Sequence, residues 1–181
     1  MTRCHVVFSH GQESGPWGKK ISALAEIATG EGYAVASVDY RGIDSPVARV
    51  EKLVADCKEF GGQLVLVGSS MGGYVSVAAA SLLHARAVFL MAPALYMPGL
   101  PALRNPALDC PCEIVHGRYD EVVPLEQSLQ FGRDYKAAVH VLDSDHGLHN
   151  QVPRIKSLFE FFLIALDMPT PIRYRGPERK A

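Results

Sequence analysis

A serine between glycines, at the end of an apolar run, is the first feature of this sequence that could do chemistry. Gly68-Ser69-Ser70-Met71-Gly72 follows the apolar Leu64–Val67 and precedes a stretch rich in small residues. A serine at a sharp strand-to-helix turn projects its hydroxyl above a sheet, and flanking glycines let the two backbones approach closely. The first amides of the following helix, beginning with Met71, then face charge developing on an attacked carbonyl oxygen. A serine hydroxyl is a weak nucleophile at neutral pH and needs a base beside it. Taken alone, the same five residues also suit a glycine-rich turn with a capping serine.

The elements that would position this serine alternate along the chain. Six apolar, β-branched-rich runs read as strands: Cys4–Ser9, Ala34–Tyr40, Leu64–Ser69, Ala87–Met91, Cys112–His116 and Ala138–Leu142. Several are apolar almost throughout, as strands buried on both faces of a parallel sheet are. Helical spacing fills most of the gaps. Ile21, Leu24, Ala25 and Ala28 mark Trp17–Gly30, and Val47, Val50, Val54 and Cys57 mark Pro46–Phe60. Gly72–His84, Pro124–Tyr135 and Val152–Leu166 complete the set. Ser45 and Pro46 make a cap and a first-turn proline. Such alternation predicts a three-layer α/β/α sandwich around a mostly parallel six-stranded sheet. Residues 92–109 contain Pro93, Pro98, Pro101 and Pro106, which predicts an irregular loop. One domain is expected over residues 1–167, with a flexible tail over 168–181.

At this point the sequence resembles the α/β-hydrolase superfamily, over nearly the whole chain. Beside the serine motif, four further segments fall in that family's order. Phe8-Ser9-His10-Gly11-Gln12 resembles its His-Gly oxyanion loop. The resemblance implies an oxyanion donor at the Gln12 N–H, paired with that of Met71, and a structural role for His10. Asp39-Tyr40-Arg41-Gly42 resembles a structural turn of many members. His116-Gly117-Arg118-Tyr119-Asp120-Glu121-Val122-Val123-Pro124 resembles the acid-bearing loop of esterases and thioesterases, with Asp120 as the acid and Glu121 as the neighbouring alternative. Asp143-Ser144-Asp145-His146-Gly147-Leu148-His149 resembles the base-bearing loop, with His146 as the base and His149 as the alternative. Ser70, Asp120, His146 is the family's nucleophile–acid–base order. The resemblance implies a small serine esterase or thioesterase without a cap domain. The family's usual core has eight strands, and this chain is expected to start at the third.

Composition narrows the partners. The chain has 181 residues, 48% hydrophobic and 20% charged, with a net charge of −1. This is about one domain's worth of chain, with no basic surplus to hold nucleic acid or an anionic membrane. No apolar run approaches the roughly 20 residues of a membrane span. Four cysteines and no recognisable signal segment suggest reduced thiols in a cytoplasm. Metal and cofactor patterns are lacking: no His-Glu-x-x-His, no phosphate-binding loop, and only one residue between Cys110 and Cys112. The expected partner is therefore a small acyl ester or thioester, with no cofactor and no metal. The oligomeric state is left open. Substrate selection is expected from two loops, one carrying Trp17 and one carrying Leu95 and Tyr96, around a shallow apolar acyl site.

Overall fold

The computed structural model describes residues 4–103 and 108–168. Six strands form one sheet: β1 (His5–Ser9), β2 (Ala34–Val38), β3 (Leu64–Ser69), β4 (Ala87–Met91), β5 (Cys112–Gly117) and β6 (Ala138–Leu142). Every neighbouring pair is parallel, in the order β2-β1-β3-β4-β5-β6. Among the described residues there are five α-helices, four in the connections and one after the last strand: α1 (Lys19–Gly30), α2 (Pro46–Cys57), α3 (Met71–Ala80), α4 (Leu125–Tyr135) and α5 (Val152–Asp167).

The period of two along each strand divides the core into two layers. Val6 and Phe8, Val65 and Val67, and Phe89 and Met91 face one layer, where Leu24 of α1 and Phe159 of α5 complete the packing. Val7, Leu66, Val88 and Leu90 face the other, against Leu53 of α2, Tyr74 of α3 and Phe131 of α4. Burial on both faces explains why the strands read as unbroken apolar runs. Ser45 caps α2 by accepting from the Ala48 N–H, as its place before Pro46 suggests.

Several boundaries differ from the sequence expectation by one to four residues, among them the starts of β1 and α1 and the end of α2, and three others have a clear local reason. β2 ends at Val38 because the Tyr40 N–H leaves the ladder and donates to His10 Nε2, 2.9 Å away. α3 ends at Ala80; the chain turns through 81–84 and His84 takes a left-handed φ of 47°. β5 gains Gly117, which pairs with Leu142 of β6. Residues 92–103 contain no helix or strand, as their prolines predict. Tail residues 169–181 lie outside the described residues.

The strand order reverses between β1 and β3. The chain moves from β1 outward to β2, then returns past β1 to β3. Loops leaving the carboxyl ends of β1 and β3 therefore diverge, and an α/β sheet opens its crevice at such a point.

Candidate active site

Ser70 sits between β3 and α3 with φ 55° and ψ −121°, a conformation rarely adopted by a residue with a side chain. Hydrogen bonds hold it there. Its N–H donates to the Met91 carbonyl (3.0 Å), and its carbonyl accepts from Gly73 (2.9 Å) and Ala94 (3.0 Å) N–H groups. The turn also depends on Gly72. A Cβ at Gly72 would stand 2.7 Å from the His10 carbonyl oxygen and closer still to Ser9. That contact brings the loop after β1 against the turn after β3.

Asp120 lies in the loop after β5 with its carboxylate fully buried. Its Oδ1 accepts from the Val122 (2.9 Å) and Val123 (2.8 Å) N–H groups, which fixes its orientation. His146 follows β6, and its Nδ1 stands 2.7 Å from Asp120 Oδ2 and its Nε2 3.1 Å from Ser70 Oγ. A carboxylate only accepts, so Nδ1 carries the proton, and Nε2 accepts from the Ser70 hydroxyl. The loops bearing Asp120 and His146 meet at Gly117. Arg118 and Tyr119 N–H groups donate to the Leu142 (2.8 Å) and Ser144 (2.9 Å) carbonyls. A Cβ at Gly117 would come within 2.5 Å of the Ser144 oxygen, so only glycine allows this approach.

Behind Asp120 lies a residue whose place the sequence did not suggest. His116 is fully buried at the end of β5, with Nε2 3.0 Å from the Val123 carbonyl and 3.1 Å from Asp120 Oδ2. Both partners accept, so Nε2 is protonated, and Nδ1 accepts from Ser128 Oγ on α4 at 2.7 Å. Burial holds the His116 imidazole below its usual range, against the pull of Val123 and Asp120. Position 116 ends an apolar strand, and nothing in local spacing shows that its ring lies under the acid.

The loop after β1 is anchored from its far side. The Gly11 carbonyl accepts from His10 Nδ1 at 2.7 Å and from the Arg49 guanidinium at 3.4 Å. His10 and Arg49 are both buried. Burial, the largest influence, lowers the His10 imidazole below its usual range. Its two nitrogens serve only backbone groups within hydrogen-bonding range, which suits the structural role expected of it. In a planar trans peptide the C=O and N–H point oppositely, so this anchor turns the Gln12 N–H the other way. Among the described residues, neither the Gln12 nor the Met71 N–H has a protein acceptor. A Cβ at Gly11 would lie 3.4 Å from Ser70 Cβ, which places this loop directly against the serine.

Comparison with known proteins agrees with this fold. Residues 6–111 match the model of the alpha/beta hydrolase family. The chain belongs to that family. An alpha/beta-superfamily protein from Xanthomonas campestris pv. campestris shares 30% identity at a TM-score of 0.84, covering 90% of this chain and 99% of its own. Est1E from Butyrivibrio proteoclasticus has 19% identity and a TM-score of 0.78, with 91% and 88% covered. A thermophilic esterase from Thermogutta terrifontis has 18% identity and a TM-score of 0.79, with 92% of each chain covered. The last two likenesses are of fold. No curated protein matches the sequence.

In this hydrolase a cleft of about 540 Å³ opens beside Ser70 and His146. Its walls differ from the expectation. One wall is the loop after β1 with the start of α1, including Gln12, Lys19 and Lys20; Val122 and His149 line the rest. Trp17 is not among the lining residues, and 52% of its surface is exposed. Leu95 is buried in the core layer that packs against α2, α3 and α4. The Tyr96 N–H donates to Gln127 Oε1 of α4 at 3.0 Å, and its ring leans toward Phe131. The described part of the loop after β4 is thus tied to α4, and none of its described residues lines the cleft, where a pocket wall was expected. His149 lines the cleft but bonds to neither Ser70 nor Asp120; Glu121 is exposed. Among the described residues no cluster of three or more His, Cys, Asp or Glu could hold a metal, and no helix is long and apolar enough to cross a membrane.

Proposed function

We propose that this hydrolase cleaves carboxylic esters through an acyl-serine intermediate. The observation that carries the proposal is the continuous chain Ser70 Oγ, His146, Asp120, with spacings of 3.1 and 2.7 Å, opening onto a cleft. Ser70 attacks the ester carbonyl as His146 Nε2 takes its proton. Asp120 keeps Nδ1 protonated and stabilises the imidazolium. Negative charge on the carbonyl oxygen meets the free N–H groups of Met71 and Gln12, each worth about 3 kcal/mol of barrier in such sites. His146 then protonates the departing alcohol. Water, deprotonated by His146, releases the acid and restores Ser70.

The cleft volume falls within the range of small-ligand sites, which suits small or medium acyl groups. The four cysteines are free, in keeping with the cytoplasmic setting proposed from composition. The test is labelling by a fluorophosphonate, together with a panel of p-nitrophenyl esters of graded chain length. Both labelling and turnover are expected in the native protein and lost in Ser70→Ala. Absence of Ser70-dependent labelling would overturn the proposal and favour a binding protein of this fold. Turnover of thioesters, lactones or peptides in place of esters would move it to a sister reaction.

A further inference from the structure

Lys20 is a cation in the cleft without a partner that compensates it. It stands in the first turn of α1 and lines the same cleft as Ser70 and His146. Among the described residues no carboxylate oxygen lies within 4.0 Å of its ammonium. Lys52 pairs with Asp56 at 3.0 Å and Lys156 with Glu26 at 3.5 Å; Lys19, Lys58 and Lys136, like Lys20, have no carboxylate partner among the described residues, but of these only Lys19 lines the cleft, and it is exposed. Lys20 is also more withdrawn from water than a surface lysine, and burial lowers its affinity for a proton. Asp120 and Asp145 are near enough to oppose that shift, yet neither pairs with it. Asp120 already accepts four hydrogen bonds, from His146, His116 and the Val122 and Val123 amides.

A partly desolvated ammonium with no directly paired counter-charge is costly, and a charged residue in such a place is expected to meet a further counterion from elsewhere. The cleft as a whole leans the same way. Its lining holds two lysines, Lys19 and Lys20, and one carboxylate, the exposed Glu13. The near-neutral total charge of the chain conceals this local excess.

We propose that Lys20 receives an anionic group of the substrate, so that the preferred esters carry a carboxylate or similar anion near the scissile bond. This rests on the esterase reading above. An ammonium–carboxylate hydrogen bond formed out of bulk water is stronger than a neutral one, and it would orient the ester across the mouth of the cleft toward Ser70. The anion could belong to the acyl part or to the alcohol part, and the same lysine would recognise either.

The experiment compares matched charged and neutral esters in the full-length protein. In the acyl arm, p-nitrophenyl hydrogen succinate is set against p-nitrophenyl methyl succinate. In the alcohol arm, the acetate ester of 3-hydroxybenzoic acid is set against that of its methyl ester. The kcat/KM ratio of charged to neutral substrate is expected to be about tenfold above one in one arm, at low salt. Lys20→Met should bring that ratio down about tenfold, Lys20→Glu should invert it, and Lys20→Arg should largely keep it. A ratio insensitive to Lys20→Met, or no preference in either arm, would overturn the inference. Ratios within one variant are unaffected by a general loss of folded enzyme. Binding of succinate to Ser70→Ala protein, by calorimetry, provides a readout that needs no turnover. Lys20-dependent binding without any ester hydrolysis would sink the esterase reading while sparing the anion site. Ser70-dependent hydrolysis with no Lys20-dependent preference or binding would do the reverse.

Discussion

His116 and His146 share one oxygen atom: both approach Asp120 Oδ2, His116 Nε2 at 3.1 Å and His146 Nδ1 at 2.7 Å. His116 has no route to substrate, because it is fully buried behind the acid. Its N–H and the Val122 and Val123 amides fix the carboxylate before His146 is oriented by it. Replacing His116 with Leu should remove one of the four donors to Asp120 and leave the Ser128 hydroxyl and the Val123 carbonyl without their ring partner. A loss of about 1–3 kcal/mol in stability is expected, measured by urea unfolding. Ester kcat should fall more than KM rises, because the change reaches the substrate only through Asp120 and His146.

The two histidines at the cleft mouth should separate cleanly. His146 bridges Ser70 and Asp120, whereas His149 touches neither. His146→Ala is expected to lower kcat by at least about 10⁴-fold, as loss of a triad member does. His149→Ala should stay within about tenfold of the native rate. Steady-state kinetics on a p-nitrophenyl ester decide this, and the opposite ranking would reassign the base.

Gly72 should tolerate no side chain. A Cβ there meets backbone of Ser9 and His10, which cannot move without opening the β1–β3 crevice. Gly72→Ala should cost at least about 3 kcal/mol, beyond ordinary overpacking. Gly15→Ala is the control, since its Cβ would meet nothing within 4 Å. Equal unfolding midpoints for the two variants would show that the close approach carries no energetic weight.

Acid should weaken the fold through its buried imidazoles. His10 and His116 both have their proton affinity lowered by burial, from an ordinary value of 6.5. The unfolded chain binds a proton at each site below that pH while the folded protein resists it. Stability is therefore full above pH 6.5 and declines as pH falls toward the lowered folded values, by at most about 1.4 kcal/mol per pH unit for each group. Urea unfolding at pH 7.5, 6.5 and 5.5 measures the slope, which His10→Gln should reduce.

Much of this was legible in the sequence because the relevant signals are local. Ser70 sits in a motif whose glycines serve the turn that holds it. Strands buried on both faces leave continuous apolar runs, so β3 and β4 read with the bounds observed. The cleft walls were not legible, because they depend on how the chain turns into the start of α1. Trp17 and Lys20 are only three positions apart; Lys20 lines the cleft, and Trp17 is left largely in solvent. Leu95 illustrates a second ambiguity, since an apolar residue fits a core and a binding pocket equally well. His116 was missed for a third reason. Its partners, Val123 and Ser128, are 7 and 12 residues away, and only the fold of the β5–α4 connection brings them to its ring.

The hydrogen bond between Ser70 and His146 spans 76 residues of chain, and that between His146 and Asp120 spans 26. Contacts of such separation form late, after the loop entropy of a parallel sheet has been overcome. Recovery of Ser70 reactivity after dilution from denaturant should therefore lag behind recovery of helical signal, and it would time the moment when β6 docks on β5.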